Sequence, residues 1–139
     1  MNQTDNIRHI LQHCRTMAVV GLSPKVHRDS YEVAHYMQQQ GWRIIPINPV
    51  AAASGMPILG EKVYATLAEA AQHEKIELVD VFRNAEDVPP VVADAIAIGA
   101  QAVWLQLGIV NDAAIATAQA AGLRTVQNKC LLIEHAASA

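Results

Sequence analysis

The chain has 139 residues, of which 52% are apolar or aromatic (AVILMFWYC) and 17% are charged. This length suits one domain with a real core, and the composition excludes a disordered chain, which would be poor in apolar residues and rich in charge. A formal charge of -3, from 10 Lys+Arg against 13 Asp+Glu, argues against a general nucleic-acid binder, yet a local basic cluster can still hold a small anion.

Taken in order, the pattern predicts a helix over residues 4–14, with Ile7, Ile10, Leu11 and Cys14 at i, i+3, i+4 and i+7. The run 17–22 is continuously apolar through Val19-Val20 and reads as a strand buried on both faces, with Gly21 inside its end. Asp29 and Glu32 read as a capping box opening a helix over 30–40, stopped by Gly41. Residues 43–47 form the second strand, cut off by Asn48-Pro49, and 48–60 reads as a longer loop around an Ala run. Thr66 and Glu69 make a second capping box, for a helix over 67–73. A third strand spans 78–82. Asp87 then opens a helix with Pro89 and Pro90 in its first turn, where prolines are tolerated, and Gly99 ends it. A fourth strand spans 102–107. Asn111 caps a helix over 112–121, a fifth strand spans 124–127, and a short C-terminal helix is compatible with the rest.

Strands that alternate with helices imply βαβ units with right-handed crossovers. The expected fold is a single α/β domain, a three-layer, Rossmann-like, doubly wound parallel sheet of about five strands, with the N-terminal helix (residues 1–15) packed on it. In such sheets ligands bind beyond the carboxyl ends of the strands, at the switch point, which a 3-2-1-4-5 order places beyond the first strand. The places to look are Gly21 onward, Asn48 onward, Arg83, Gln106 to Gly108, and Asn128 to Cys130.

The first strand-to-helix loop offers the hydroxyls of Ser23 and Ser30, the charges of Lys25 and Arg28, and the free N–H groups of the helix that follows. A helix N-terminus with two cations suits a phosphate; the same residues also suit a solvated loop with a helix cap. The dinucleotide fingerprint G-x-G-x-x-G is broken by Ser23 and Val26, and the Pro46-Ile47-Asn48-Pro49 strand end has no acid for an adenine ribose, so ordinary NAD binding is disfavoured. No P-loop motif occurs. Arg83 suits a phosphate or adenine contact or a surface ion pair, and Phe82 suits either core or stacking. His9 and His13 lie at i, i+4 beside Cys14, but without the acid of H-E-x-x-H, and a metal site is not expected. Glu134 and His135 are adjacent and would point apart on a helix.

Two cysteines are too few for a disulfide framework and read as free thiols of a reducing, cytoplasmic compartment. Cys130 falls on the ligand edge beside Lys129, where a cation can lower a thiol pKa, although a buried, inert thiol is the preferred reading. The chain start shows no signal peptide, and no run of about 18 apolar residues suggests a membrane span.

Val20-Gly21-Leu22-Ser23, Arg28-Asp29-Ser30-Tyr31 and Ile45-Pro46-Ile47-Asn48-Pro49 resemble the small bacterial CoA-binding proteins of the YccU-like family. The resemblance continues through Leu59-Gly60-Glu61-Lys62-Val63-Tyr64, Val79-Asp80-Val81-Phe82-Arg83, Ala95-Ile96-Ala97-Ile98-Gly99-Ala100, Trp104-Leu105-Gln106-Leu107-Gly108 and Cys130. Members are stand-alone Rossmann-like domains similar to the CoA-binding N-terminal domain of the succinyl-CoA synthetase α subunit. The resemblance implies coenzyme A or an acyl-CoA across the carboxyl edge. Gly21, Leu22, Ser23, Pro24 and Lys25 would approach its phosphates or ribose. Asn48 and Pro49 would border the nucleotide, and Val81, Phe82 and Arg83 would flank the adenine or the pantetheine arm. Arg28, Ser30, Gln106 and Gly108 complete the expected cofactor-binding set.

The chain departs from the family at Val50, where a basic residue is common, and at Asn128-Lys129-Cys130, where Asp-Arg-Cys is usual. The expected function is a non-catalytic module for CoA or acyl-CoA, with a small-molecule nucleotide as partner and neither nucleic acid nor membrane. The alternatives are a thiol-based enzyme or redox device acting through Cys130 with CoA, or an adenine-nucleotide-sensing protein. Self-association and an unidentified protein partner stay open.

Overall fold

The computed structural model describes residues 2–138. Its strands are β1 Thr16–Val20, β2 Arg43–Ile47, β3 Leu78–Val81, β4 Ala102–Leu105 and β5 Arg124–Val126. They form one all-parallel sheet in the order β2-β1-β3-β4-β5. The helices are α1 Gln3–His13, α2 Asp29–Gln39, α3 Pro49–Ser54, α4 Leu67–Ala71, α5 Val88–Ala97, α6 Asp112–Ala120 and α7 Leu131–Ser138.

The side-chain period of two sorts each strand between two cores. Met17, Val19, Leu78, Ala102, Trp104 and Val126 pack with Ile10, Val33, Met37 and Leu131, beneath α1, α2 and α7. Ala18, Val20, Val79, Val81, Val103 and Leu105 pack with Leu67, Val92, Ala95 and Ala118, beneath α4, α5 and α6. Both faces of the sheet are covered, which is why its strands read as unbroken apolar runs.

The strand order corrects the expected 3-2-1-4-5. β3 pairs with β1, in the register Met17↔Leu78 to Val20↔Val81, so the switch point lies between β1 and β3. The reason is at the outer edge of β2. Pro46 has no N–H to offer there, and the chain near Tyr64 already occupies the edge. Tyr64 N donates to Pro46 O at 3.0 Å, and Asn48 N donates to Tyr64 O at 3.0 Å. A further strand has no place beside β2.

Local signals resolve in different ways. Thr66 Oγ1 accepts from Glu69 N at 3.1 Å and Asn111 Oδ1 accepts from Ala114 N at 3.0 Å, as their cap positions predict. Asp29 and Glu32 form no capping box: α2 starts at Asp29 itself, with Arg28 in the cap position and no side-chain cap bond. Asp87 stands at the N-cap of α5 as expected but makes no side-chain cap bond, and a 3-10 turn over Ala85–Asp87 leads into the helix. The expected loop 48–60 contains α3, capped by Asn48 Oδ1, which accepts from Val50 N at 3.0 Å and Ala51 N at 3.1 Å. Asn-Pro-x-Ala-Ala-Ala is a cap, a first-turn proline and good helix formers.

At the β5 edge, α1 supplies side-chain amides. Asn6 Nδ2 donates to Thr125 O at 3.0 Å, Gln3 Nε2 donates to Gln127 O at 3.1 Å, and Gln127 N donates to Gln3 Oε1 at 2.9 Å.

Gly21 follows β1 with φ +87°, and a Cβ there would run into the Phe82 carbonyl oxygen. Its N–H reaches Ile47 O at 3.0 Å while Phe82 N reaches Val20 O at 2.9 Å. Both the left-handed backbone and the close approach demand glycine. Gly21→Ala is therefore expected to cost more than about 1 kcal/mol of stability. Urea unfolding measures it, and an unchanged midpoint would refute the requirement.

Candidate functional site

The loops after β1, β3 and β4 and the start of α7 form two adjoining concavities at the carboxyl edge. The first is an open groove of about 740 Å³, with Arg28, Arg83, Asn84, Glu86 and Gly108 in its walls. The second is a tighter cavity of about 330 Å³ walled by Val33, Phe82, Leu107, Ile109, Leu132 and Ile133, with Asp29, Glu32, Gln106 and Cys130. Asp29, Phe82 and Ile109 belong to both.

The expected residues divide by what the fold does with them. Arg28, Phe82, Arg83 and Gly108 come together in the groove. Lys25 is exposed on the β1 loop, outside both walls. Among the described residues, ion pairs form at Arg8–Asp5, Arg43–Glu61 and Arg43–Glu74, and none involves Lys25, Arg28 or Arg83. These three cations stand at or near the cleft outside any of those ion pairs, with the carboxylates of Asp29 and Glu86 in the same groove wall as Arg28 and Arg83.

The polar loop residues hold one another. Ser23 N donates to Ser30 Oγ at 3.0 Å, and Lys25 N to Ser23 Oγ at 3.1 Å. The Ser30 hydroxyl therefore folds the loop back onto α2. Pro24 is exposed in that loop, and Pro49 is exposed at the start of α3. Leu22 and Val81 bury their side chains completely in the core and bring only backbone to the rim. Asn48 uses its carbonyl to cap α3 and its Nδ2 to reach Leu22 O at 2.9 Å, so its side chain is committed to joining the β1 and β2 loops. Gly108 N donates to Asn128 Oδ1 at 2.8 Å, tying the β4 loop to the β5 loop.

Gln106 is 3% exposed and works as a hub. Its Nε2 donates to Asp80 Oδ1 at 2.5 Å, and its Oε1 accepts from Leu131 N at 3.2 Å. It thereby joins β3, β4 and the first turn of α7. Asp80 is the residue sequence reasoning did not single out. It is completely buried mid-strand, and its Oδ2 has no hydrogen-bond partner. Burial pushes its carboxyl up to about 7, against the Gln106 bond that favours the charged form. The available signal was an acid interrupting the apolar run of β3.

The two free cysteines differ sharply. Cys14 is 1% exposed, and burial pushes its thiol up to about 11, with Glu77 adding and Arg15 opposing. Cys130 is half-buried and lines the apolar cavity. Lys129 fixes its neighbourhood through backbone, its carbonyl accepting from Trp104 Nε1 at 2.8 Å. The rings of His9 and His13 lie 4.4 Å apart between centroids on α1, tilted by 40° to one another, distant in sequence from the cleft loops. Among the described residues no three His, Cys, Asp or Glu side chains could hold a metal ion. The adjacent Glu134 and His135 do diverge: His135 Nδ1 meets Tyr36 Oη at 2.9 Å, whereas Glu134 borders a depression between α1 and α7.

A parallel, doubly wound sheet with a cleft at its switch point is the architecture of a Rossmann-like nucleotide-binding domain. Residues 15–136 match the family described as a CoA binding domain, and the chain belongs to that family. It is 35% identical to the protein YneT of Bacillus subtilis (strain 168) over 130 residues, covering 94% of this chain and 92% of that one. Among solved structures, a hypothetical protein from Pyrococcus horikoshii OT3 superposes with a TM-score of 0.88 at 35% identity, covering 99% of this chain and 92% of that one. A Thermus thermophilus protein superposes with a TM-score of 0.85 at 29% identity, covering 99% and 98%. Among the described residues no helix is long and apolar enough to cross a membrane.

Asp80 generates a pH prediction. Its folded-state pKa of about 7 lies above the ordinary 3.8, so the folded chain holds more protons than the unfolded chain between those values. Its contribution to stability is full below the lower value, falls as pH rises through the window, and levels off above the upper one. Asp80→Asn should remove this fall. Urea midpoints of both proteins from acid to neutral pH measure it, and parallel curves would refute it.

Proposed function

We propose that the chain binds coenzyme A or an acyl-CoA along the carboxyl edge of the sheet, as a binding module without catalysis of its own. The observation that carries this reading is that two unlike concavities lie side by side, with Phe82, Asp29 and Ile109 lining both. The groove with Arg28 and Arg83 suits the phosphates of the nucleotide half. The apolar cavity suits the neutral pantetheine arm. Gly21 lets the end of β1 pass close to the Phe82 carbonyl, which sets the β1 loop beside the residues after β3. Lys25, at the same rim, adds charge that attracts anions from a distance.

The module reading is supported by how the buried amides are used. Gln106 and Asn48 stand where substrate contacts would be expected, yet both are committed to holding loops and helices in place. At Val50, 81% exposed in the first turn of α3, the chain has no cation, which leaves the phosphate work to Arg28, Arg83 and Lys25.

Calorimetric titration with CoA tests the reading. Saturable binding is expected, weakened by added salt because exposed charges are screened. Arg83→Ala and Arg28→Ala should each weaken it about tenfold, the scale of one charge-assisted hydrogen bond. An absence of heat and of thermal shift at millimolar CoA would overturn the proposal. NAD is expected not to compete.

A second reading is favoured by the place of Cys130 on the cavity wall. A Cys130 thiolate that attacks CoA disulfide would form a protein–CoA disulfide and release one CoA thiolate, conserving electrons. Intact mass after incubation with CoA disulfide should then rise by one CoA moiety, and not in Cys130→Ser. Cys14 acts as an internal control, since its raised pKa keeps it protonated. An unchanged mass removes this reading and leaves the binding module untouched.

A further inference from the structure

We infer that the apolar cavity selects among acyl-CoAs by the charge at the end of the acyl group: it takes the free thiol or a short neutral acyl group and rejects acyl groups that end in a carboxylate. This rests on the CoA reading above and adds to it the class of ligand.

Selection turns on where the cations of the cleft stand. Arg28 and Arg83 wall the groove, where the phosphates belong, together with the carboxylates of Asp29 and Glu86. The cavity beyond Phe82 contains neither Lys, Arg nor His in its walls. Its two charged side chains are both acidic, Asp29 at N1 of α2 and Glu32 one turn along the same helix. Lys129, beside Cys130 in sequence, is exposed and stands outside the wall. The rest of the lining is aliphatic or aromatic apart from Gln106 and Cys130, and the Gln106 amide is already engaged with Asp80 and Leu131.

A tail whose thiol end enters this cavity therefore meets apolar surface and negative charge. A methyl or ethyl terminus gains by burial there. A carboxylate terminus loses water and finds no cation to replace it, while two carboxylates face it. At about 330 Å³ the cavity is near the lower limit for small-molecule pockets, so the pantetheine arm leaves room for only a short chain. Asp29 and Glu32 are both exposed to solvent, which screens their repulsion and holds the expected discrimination to about fivefold or somewhat more.

Butyryl-CoA and succinyl-CoA make the test, because each acyl group has four carbons and only one ends in a carboxylate. Calorimetric titration of the intact chain should give butyryl-CoA within a few-fold of CoA and succinyl-CoA about fivefold or more weaker than butyryl-CoA. Glu32→Gln should narrow that gap, whereas Asp29 is left in place because it also favours the start of α2. Equal affinity for the two acyl-CoAs overturns the inference, and so does a gap that Glu32→Gln leaves unchanged. Tight CoA with no binding of butyryl-CoA overturns it as well, since the tail then ends elsewhere. Failure of CoA itself to bind removes the parent reading and this inference with it, a result distinct from the other three.

Discussion

The cleft depends on how closely two backbones pass at the end of β1. Gly21 leaves the strand in the left-handed region directly over the Phe82 carbonyl, where no side chain fits. Because β1 and β3 are neighbours, this crossing is also the switch point of the sheet. From it one chain turns toward α2 on one face, and the other continues through Arg83 toward α5 on the opposite face. The gap between those departures is the groove. Its cations, its helix start and its shared wall at Phe82 all take their positions from a contact that only the smallest residue permits.

The second constraint is the Gln106 amide. One side chain reconciles a buried carboxyl on β3, the end of β4 and the first N–H of α7. In a low-dielectric core such a network is firm when every member is satisfied. Here one oxygen of Asp80 has no partner, and burial raises the pKa of the carboxyl. The cavity wall formed by Leu132 and Ile133 belongs to the helix whose first turn this amide holds. The apolar half of the cleft is therefore tied, through the Gln106 amide, to a buried carboxyl that does not line it.

Much of this was legible in the chain. The second strand occupies 43–47 as its pattern requires, and Thr66 and Asn111 cap as their spacing implies. Arg28, Phe82 and Arg83 meet at the rim because strand ends converge in any parallel sheet. The remainder was decided by competition between distant parts. The strand order turned on the edge of β2, where Pro46 and the Tyr64 segment leave no pairing site. α3 is six residues long, too short for a periodic signal, and only its cap announced it. Ser30 serves the Ser23 backbone rather than its own helix. The Asp80–Gln106 bond spans 26 residues, so each side chain alone looked ordinary. The cavity required α7, whose place on the sheet no local pattern specifies.

The two outer strands also bear on how copies of this chain can meet. At one margin Pro46 lacks a donor and Tyr64 takes its acceptor. At the other, Gln3 and Asn6 cover the main chain of residues 125–127 with side-chain amides. Neither margin offers the row of open peptide groups that templates cross-chain β-pairing. The sheet is thereby guarded against growing into continuous ribbons at high concentration, and any assembly it enters must be built through its helices and loops.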